Sequence, residues 1–328
     1  MSRSLTAARG SALGPGPEFD RIRGIARRLG DHARGLGDDC AMLPDGGGTL
    51  ALSTDVSVEG VHFRLEWIEP GEVGWRATAA ALSDLAAVGA EAVGVLSAIT
   101  VPAAALEEDL VALAGGIGDA ASAAGGAVLG GDLSAGPVWS VAVTVIGRAE
   151  CPVTRAGAGP GDGIWVTGAL GGARAALESW RRGESPAADA RSAFAHPQPR
   201  LAAGRWLSEH GARAMLDVSD GLAADAGHLA AASGVRIELT LETIPVAAAA
   251  IAEARRLDVP VQQFAAEGGE DYELLVALPG GFDAAGVREF ETACGVALTR
   301  IGTAHRGSGV RAKLAGRPLT LRGYDHFR

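Results

Sequence analysis

Aspartates stand at several positions in this chain where a carboxylate is hard to accommodate without a partner. Gly37-Asp38-Asp39 precedes an apolar stretch, and Ser53-Thr54-Asp55 closes a strand-like run. Ser83-Asp84-Leu85 sits inside an otherwise apolar helical segment. Gly130-Gly131-Asp132 follows a strand-like run, and Asp217-Val218-Ser219-Asp220-Gly221 spans a strand-to-helix junction. An isolated carboxylate in apolar surroundings is costly and needs a counter-charge. Lysine cannot be the general answer, because Lys313 is the one lysine of the chain. Arginines could serve some of these positions, but a shared cation serves them together. Hard divalent ions take oxygen ligands, and magnesium typically bridges carboxylates to phosphates. Ser53 and Thr54 would add further oxygens. Any one motif alone reads equally well as a helix cap or a turn, Asp220 before Gly221 above all. Together, on separate elements, they favour a cation-binding cleft.

Other residues could meet an anion or an organic substrate. No Gly-x-x-x-x-Gly-Lys-Ser/Thr run occurs, so the phosphate-binding device is not a Walker loop. Gly168-Ala-Leu-Gly171-Gly172, at a strand-to-helix turn, could present backbone N–H groups to an anion, although a tight turn needs the same glycines. Arg155 could pair with a phosphate or be solvated. His62 lies between apolar neighbours, where a histidine is more often structural. Gly268-Gly269-Glu270-Asp271-Tyr272 opens a strand, and its paired glycines allow backbone shapes closed to other residues.

The elements that must position these groups fall into two sets. Helical spacing of apolar residues runs from Phe19 to Leu29, from Glu72 to Val88 and from Leu106 to Ala124, and strands are expected at 50–53, 93–101, 127–129 and 138–146. A Gly/Ala/Pro-rich stretch, 152–163, reads as a domain junction. Beyond it, strands are expected at 164–167, 214–218, 235–241, 273–278 and 296–301, helices at 222–233, 246–257 and 282–294, and a polar loop at 182–199. The expected organisation is a mobile tail over 1–17, an α+β domain over 18–150 and an α/β domain over 151–328.

Composition bounds the function class. The 328 residues are 48% hydrophobic and 21% charged, an ordinary globular profile. The formal net charge of −10 argues against nucleic acid or an anionic membrane as the main partner. No apolar run is long enough to span a bilayer, and the first residues lack the core of a signal peptide. The three cysteines, Cys40, Cys151 and Cys294, are scattered without CxxC spacing, so neither a disulfide framework nor a zinc site is indicated, and a reducing cytoplasm fits best.

In order and spacing, the motifs resemble the thiamine-monophosphate kinase family of the aminoimidazole-ribonucleotide-synthetase-like superfamily. The resemblance rests on Gly37–Leu43, Ser53–Phe63, Leu82–Ala90, Gly130–Asp132, Thr154–Ala158, Asp217–Gly221, Gly268–Glu273 and Gly323–Phe327. It implies an N-terminal α+β domain that dimerises, followed by an α/β C-terminal domain. It further implies that Asp39, Asp55, Asp84, Asp132, Asp217 and Asp220 ligate several magnesium ions, with Ser53 and Thr54 assisting. Gly131, Asp132, Arg155 and Ser219 would contact ATP, and His62 and Glu270 thiamine monophosphate. The implied reaction is direct in-line transfer of the ATP γ-phosphoryl group to thiamine monophosphate, in a cytoplasmic homodimer. Three positions depart from the family pattern. Ala81 stands where many relatives carry Asn, and Ala124 where an aromatic often lies near the adenine. Leu321 stands where some relatives place an aromatic against the thiamine, with Tyr324 available as a substitute. Cys40, inside the metal motif, speaks against a selenophosphate synthetase, and the ending His326-Phe327-Arg328 against a hydrogenase-maturation relative. Aminoimidazole-ribonucleotide synthetase and a non-catalytic magnesium–nucleotide sensor remain as alternatives.

Overall fold

The computed structural model describes residues 12–32 and 36–323. The motif beyond Gly323, including Tyr324, lies outside the described residues, as does most of the expected tail.

The first half is built from α1 (Pro17–Leu29), β1 (Ala41–Asp45), β2 (Gly48–Val58), α2 (Pro70–Ala87), β3 (Glu91–Pro102), α3 (Glu107–Ala123), β4 (Ala127–Gly136) and β5 (Ser140–Ala149). Its five strands form one sheet in the order β1-β2-β5-β3-β4. All pairs are antiparallel except β3 with β4, which α3 joins as a parallel crossover. β5 alternates buried and half-buried residues, as expected for a strand with one face on a core. β4 is different: every residue from Ala127 to Ala135 is exposed.

The second half comprises β6 (Gly163–Thr167), α4 (Gly172–Arg181), α5 (Ala188–Ala195), α6 (Leu201–Glu209), β7 (Ala214–Asp217), α7 (Leu222–Ser233) and β8 (Val235–Thr240). It continues through α8 (Ala248–Arg256), α9 (Val261–Ala266), β9 (Leu274–Leu278), α10 (Ala284–Cys294), β10 (Leu298–Arg306), β11 (Gly309–Leu314) and β12 (Arg317–Leu319). Seven strands form a mixed sheet in the order β12-β11-β8-β10-β6-β9-β7. The chain thus folds as two mixed α/β layers, in line with the expected two-part architecture.

α2 is the element that joins them. Pro70 starts it, a reciprocal capping box between Glu69 and Glu72 satisfies its first turn, and Gly89 lets the chain leave at φ 71°. Most of its length is buried, including Leu82 and Leu85, each contributing roughly 1.5–3 kcal/mol by burial. It lies against α3 at a separation only glycine permits. A Cβ on Gly74 would sit 2.0 Å from the Leu113 carbonyl oxygen, and one on Gly116 would sit 1.8 Å from that of Gly71. Its other side meets α5, α6 and β7 of the second half. One apolar cluster accordingly runs from Leu82, Val143 and Val145 through to Phe194 and Phe264.

Several boundaries differ from the sequence reading. β2 runs on to Val58, so Asp55 is inside a strand rather than at its end, and β4 contains Asp132 rather than stopping before it. The expected loop at 182–199 holds α5, whose Phe194 is fully buried. α6, α9, β11 and β12 were not anticipated. All four are short, and their apolar residues too few to show a period.

Candidate active site

A cavity of about 1040 Å³ opens where the two halves meet. Three carboxylates from unrelated parts of the sequence gather at this cavity: Asp84 from α2 and Asp217 from the end of β7 line it, and Asp39, from the loop before β1, is buried behind them. One oxygen of each lies within 4.8 Å of the others. α2 is what brings them together, because it touches both β2 and β7. The Ser53 hydroxyl of β2 donates to Asp84 at 2.5 Å. Arg155 is the cation of this group: its Nε and Nη2 donate to the two Asp39 oxygens at 3.1 and 2.6 Å. Its backbone N–H donates to Asp38 at 3.1 Å.

One arginine does not neutralise three acids, two of them buried and Asp84 half-buried. Burial raises the Asp84 carboxyl well above the usual carboxylate range, and the charges of Asp217, Asp39 and Asp55 push it further. Burial and then Asp39 raise Asp217 in the same way. Burial would strip Arg155 of its proton, but Asp39 more than offsets this and holds the guanidinium charged. An all-oxygen set short of positive charge suits a hard divalent cation. Cys40, next to Asp39, is a thiol and not a nucleophile: it is buried, its Sγ donates to the Asp84 carbonyl at 3.4 Å, and burial and Asp84 both push its pKa up.

The other candidate ligands lie farther out. Asp55 lines the cavity from the exposed stretch of β2 at Thr54–Val56, and its charge reaches Asp84 and Asp217. Thr54 pairs with Thr144 at 2.8 Å on the exposed side of the same strand. Asp220 belongs to a second group with Asp225 and His228, again with one ligand atom each within 4.8 Å. Its backbone N–H donates to Asp225 at 3.2 Å. Asp225 and His228 escaped the sequence reading, although two polar residues three apart in the apolar run of α7 were a usable signal. Burial, with Arg155 nearby, lowers the His228 pKa to about 4, so the ring is neutral and stacks on Phe19 at 4.0 Å. Asp132 and Gly131 stand apart from the other candidates, on exposed β4, where a Cβ on Gly131 would strike the Ser97 carbonyl oxygen at 2.0 Å.

Another part of the cavity lining has organic character. Trp67 and Trp180 stack with centroids 5.3 Å apart and 3° between their planes, and Phe194 meets Trp180 edge-on at 5.1 Å. None of these was singled out from the sequence, where an aromatic reads first as core. His62 accepts the Val58 N–H at Nδ1 over 3.1 Å, so in the neutral ring Nε2 carries the proton. Glu270 and Tyr272 both hold positive φ, at 66° and 52°, which non-glycine residues adopt at a cost. The Glu270 N–H donates to the Ser219 carbonyl at 2.7 Å, which seats Ser219 and Glu270 side by side on the wall. Leu321 packs against the core of the second half, while Arg322 and Gly323 line the cavity instead.

The turn at Gly168–Gly172 does receive carboxyl groups, but they belong to the chain. Asp271 accepts the Gly171 N–H at 2.8 Å, and Glu273 lies so close that a Cβ on Gly168 would be 1.9 Å from its carboxylate. The turn therefore seats the Gly268–Glu273 segment and is not a free phosphate loop.

Comparison with known proteins agrees with this architecture. The family model for AIR synthase related protein, N-terminal domain, matches residues 37–149, and that for the C-terminal domain matches 159–314. The chain is 38% identical over 333 residues to a thiamine-monophosphate kinase of Escherichia coli O157:H7, covering 94% of this chain and 95% of that one. It is 36% identical over 271 residues to a thiamine-monophosphate kinase of Mycobacterium tuberculosis (strain CDC 1551 / Oshkosh), covering 82% and 81%. A solved structure described as AaThiL complexed with AMPPCP and TMP superposes with a TM-score of 0.85 at 30% identity, covering 98% of this chain and all of that one. The chain belongs to the AIR synthase related family and, within it, to the thiamine-monophosphate kinases.

Proposed function

We propose that this kinase transfers the γ-phosphoryl group of ATP to the phosphate of thiamine monophosphate, in line and without a phosphorylated protein intermediate, in the cleft beside Asp39, Asp84 and Asp217. The observation that carries this reading is the gathering of three under-neutralised carboxylates, Asp39 and Asp217 buried and Asp84 half-buried, at a cavity that is also lined by Trp67, Trp180 and Phe194. Kinship with thiamine-monophosphate kinases, and with a neighbour solved with AMPPCP and TMP, supports it.

The donor set fits magnesium, with Asp39, Asp84 and Asp217 as the inner group and Asp55, Asp220, Ser53 and Thr54 as further candidates. Magnesium, when bound, would neutralise phosphate charge and align the two phosphates for displacement. The side chains supply the rest. Arg155, held charged by Asp39, would meet ATP phosphate oxygens, and Ser219, which also lines the cavity, would add a hydroxyl. His62, with its proton on Nε2, is a hydrogen-bond donor for the acceptor substrate, and Glu270 offers a carboxylate to its cationic ring. No side chain need act as a nucleophile, because two phosphates brought together require positioning and charge neutralisation above all.

Asp132 and Gly131 enter this scheme through assembly. A five-stranded sheet that ends on a fully exposed strand, with Leu129 at 54% and Leu133 at 61% exposure, is an edge that pairing with a second copy would cover. We take 18–150 as the dimerising, nucleotide-binding part and 151–328 as the part that completes the site, in a cytoplasmic homodimer. Among the described residues no helix is long and apolar enough to cross a membrane. Purified protein should convert thiamine monophosphate to the diphosphate with ATP and magnesium, should stop in EDTA, and should leave free thiamine essentially untouched. Turnover of free thiamine at an equal rate would overturn the assignment.

A further inference from the structure

Behind the cavity wall, Arg76 of α2 is 3% exposed and does not line the cavity. A buried guanidinium needs full compensation, and all three of its contacts lie in the second half of the chain. It pairs with the Glu270 carboxylate. Its Nη1 donates to the Phe194 carbonyl at 2.7 Å, and its guanidinium carbon lies 3.8 Å from the Phe194 ring centroid. Phe194 in turn packs edge-on against Trp180 and Trp67. Glu270, Phe194, Trp67 and Trp180 all line the cavity.

A purely structural tie between α2 and α5 already exists one helical turn away. Arg191 forks onto Glu72 at 2.6 and 2.7 Å without touching those four groups. Arg76 adds something else, a fixed spacing between one carboxylate and one aromatic wall. Building on the site reading above, we propose that Arg76 is a positioning residue for the acceptor substrate. It holds Glu270 and the Phe194–Trp180–Trp67 wall in register, so that the cationic thiazolium ring is received between a carboxylate and aromatic faces. Glu270, on strained backbone, is the group that gains most freedom once the guanidinium is gone.

The test compares Arg76→Met, Arg76→Lys, Glu270→Gln, the double variant Arg76→Met/Glu270→Gln and Arg191→Met, all in the full chain. Arg76→Met should raise KM for thiamine monophosphate by about tenfold or more, the scale for truncating one partner of a buried charge pair. KM for ATP should stay within about twofold, since uniform damage would move both. Lysine keeps the charge but not the planar fork or the ring stacking, so Arg76→Lys should recover part of the loss. The double variant should be no worse in KM than Glu270→Gln, and Arg191→Met should lower the melting temperature with both KM values intact. If Arg76→Met fails to fold, Arg76→Lys decides alone: a selective rise in KM for thiamine monophosphate supports the role, and unchanged values overturn it. A rise in Glu270→Gln with none in a folded Arg76→Met overturns the role of Arg76. No rise in Glu270→Gln overturns the site reading and the role of Arg76 with it.

Discussion

Two carboxylate-rich regions reach the cleft, one through Asp84 and Asp217 and the other through Glu270, and the chain treats them differently. Along Glu270-Asp271-Tyr272-Glu273 the two glutamates each have an arginine. Glu270 has Arg76, while Asp271 has the Gly171 N–H on one oxygen only, and burial raises its carboxyl well above the usual range. Glu273 has the Thr167 hydroxyl at 2.6 Å and a two-pronged grip from Arg200 at 2.8 and 2.6 Å. Among Asp39, Asp84 and Asp217 there is one arginine for three acids, and burial with mutual repulsion raises both Asp84 and Asp217. In the first, Glu270 and Glu273 are neutralised by the chain's own arginines. The second leaves charge for something that is not part of the chain. Density of acids is therefore a poor guide to a cation site, and the balance of partners is a better one.

The largest expected effect comes from taking a charge out of the second region. Asp217→Asn should cut turnover by about a thousandfold, on the order of 4 kcal/mol of transition-state stabilisation, while the protein still folds. A loss smaller than tenfold at saturating magnesium, roughly 1.4 kcal/mol, would remove Asp217 from the catalytic group. The same change in the first region should do the reverse. Glu273→Gln leaves the half-buried Arg200 without its counter-charge, and breaking such a pair costs on the order of 1–3 kcal/mol of stability, below the fully buried case because Arg200 keeps some solvent. Chemical denaturation should show this loss, with residual folded protein turning over near the wild-type rate. Equal stability would make Glu273 a site residue rather than a brace.

Much of the first contrast was legible in the sequence. Asp84 was conspicuous because an acid in an apolar helical run has no local reason to be there, and Asp217 and Asp39 stood at element ends. The two-part fold followed from helix periodicity and the Gly/Pro-rich junction. What stayed hidden was three-dimensional. Nothing along the chain says that Arg76 and Glu270 are partners, or that the glycine turn at 168–172 is filled by Asp271 and Glu273. The aromatic wall draws Trp67 from one half and Trp180 and Phe194 from the other, and single aromatics read as core. Asp225 and His228 were readable in principle, but a helix cap at Asp220 accounted for the local pattern without them.

A third measurement sharpens the contrast at the assembly level. If exposed β4 is covered by a second copy, light scattering at micromolar concentration should report a dimer. Leu133→Asp, a charge placed on that edge, should shift it toward monomer and reduce turnover if Asp132 acts only in the assembled protein. A wild-type monomer with full activity would contradict both statements.

The smallest effect is the most diagnostic, because it reads the unpaired charge directly. Asp84 holds its proton in the folded, metal-free protein at a pH where the unfolded chain has already released it. Between the unfolded carboxylate pKa, about 4, and the raised folded one, the native state binds more protons than the unfolded state, so stability falls as pH rises. Asp84→Asn removes that contribution at nearly constant shape, and its amide oxygen can still accept the Ser53 hydroxyl. In EDTA the two proteins should melt together near pH 4. The variant should then gain on wild type as pH climbs. The gain is on the order of 1 kcal/mol for each tenfold by which folding weakens the Asp84 acid, or about 2–4 °C in a chain of this size. Saturating magnesium should reverse the order, because a ligand that binds the folded form stabilises wild type more than a variant with one ligand fewer. A structural carboxylate such as Glu273 gives the opposite sign, its loss costing stability at neutral pH with or without metal. If Asp84→Asn melts below wild type in EDTA across the whole pH range, with an unchanged magnesium increment, Asp84 belongs with the braced acids and the cation site must be sought without it.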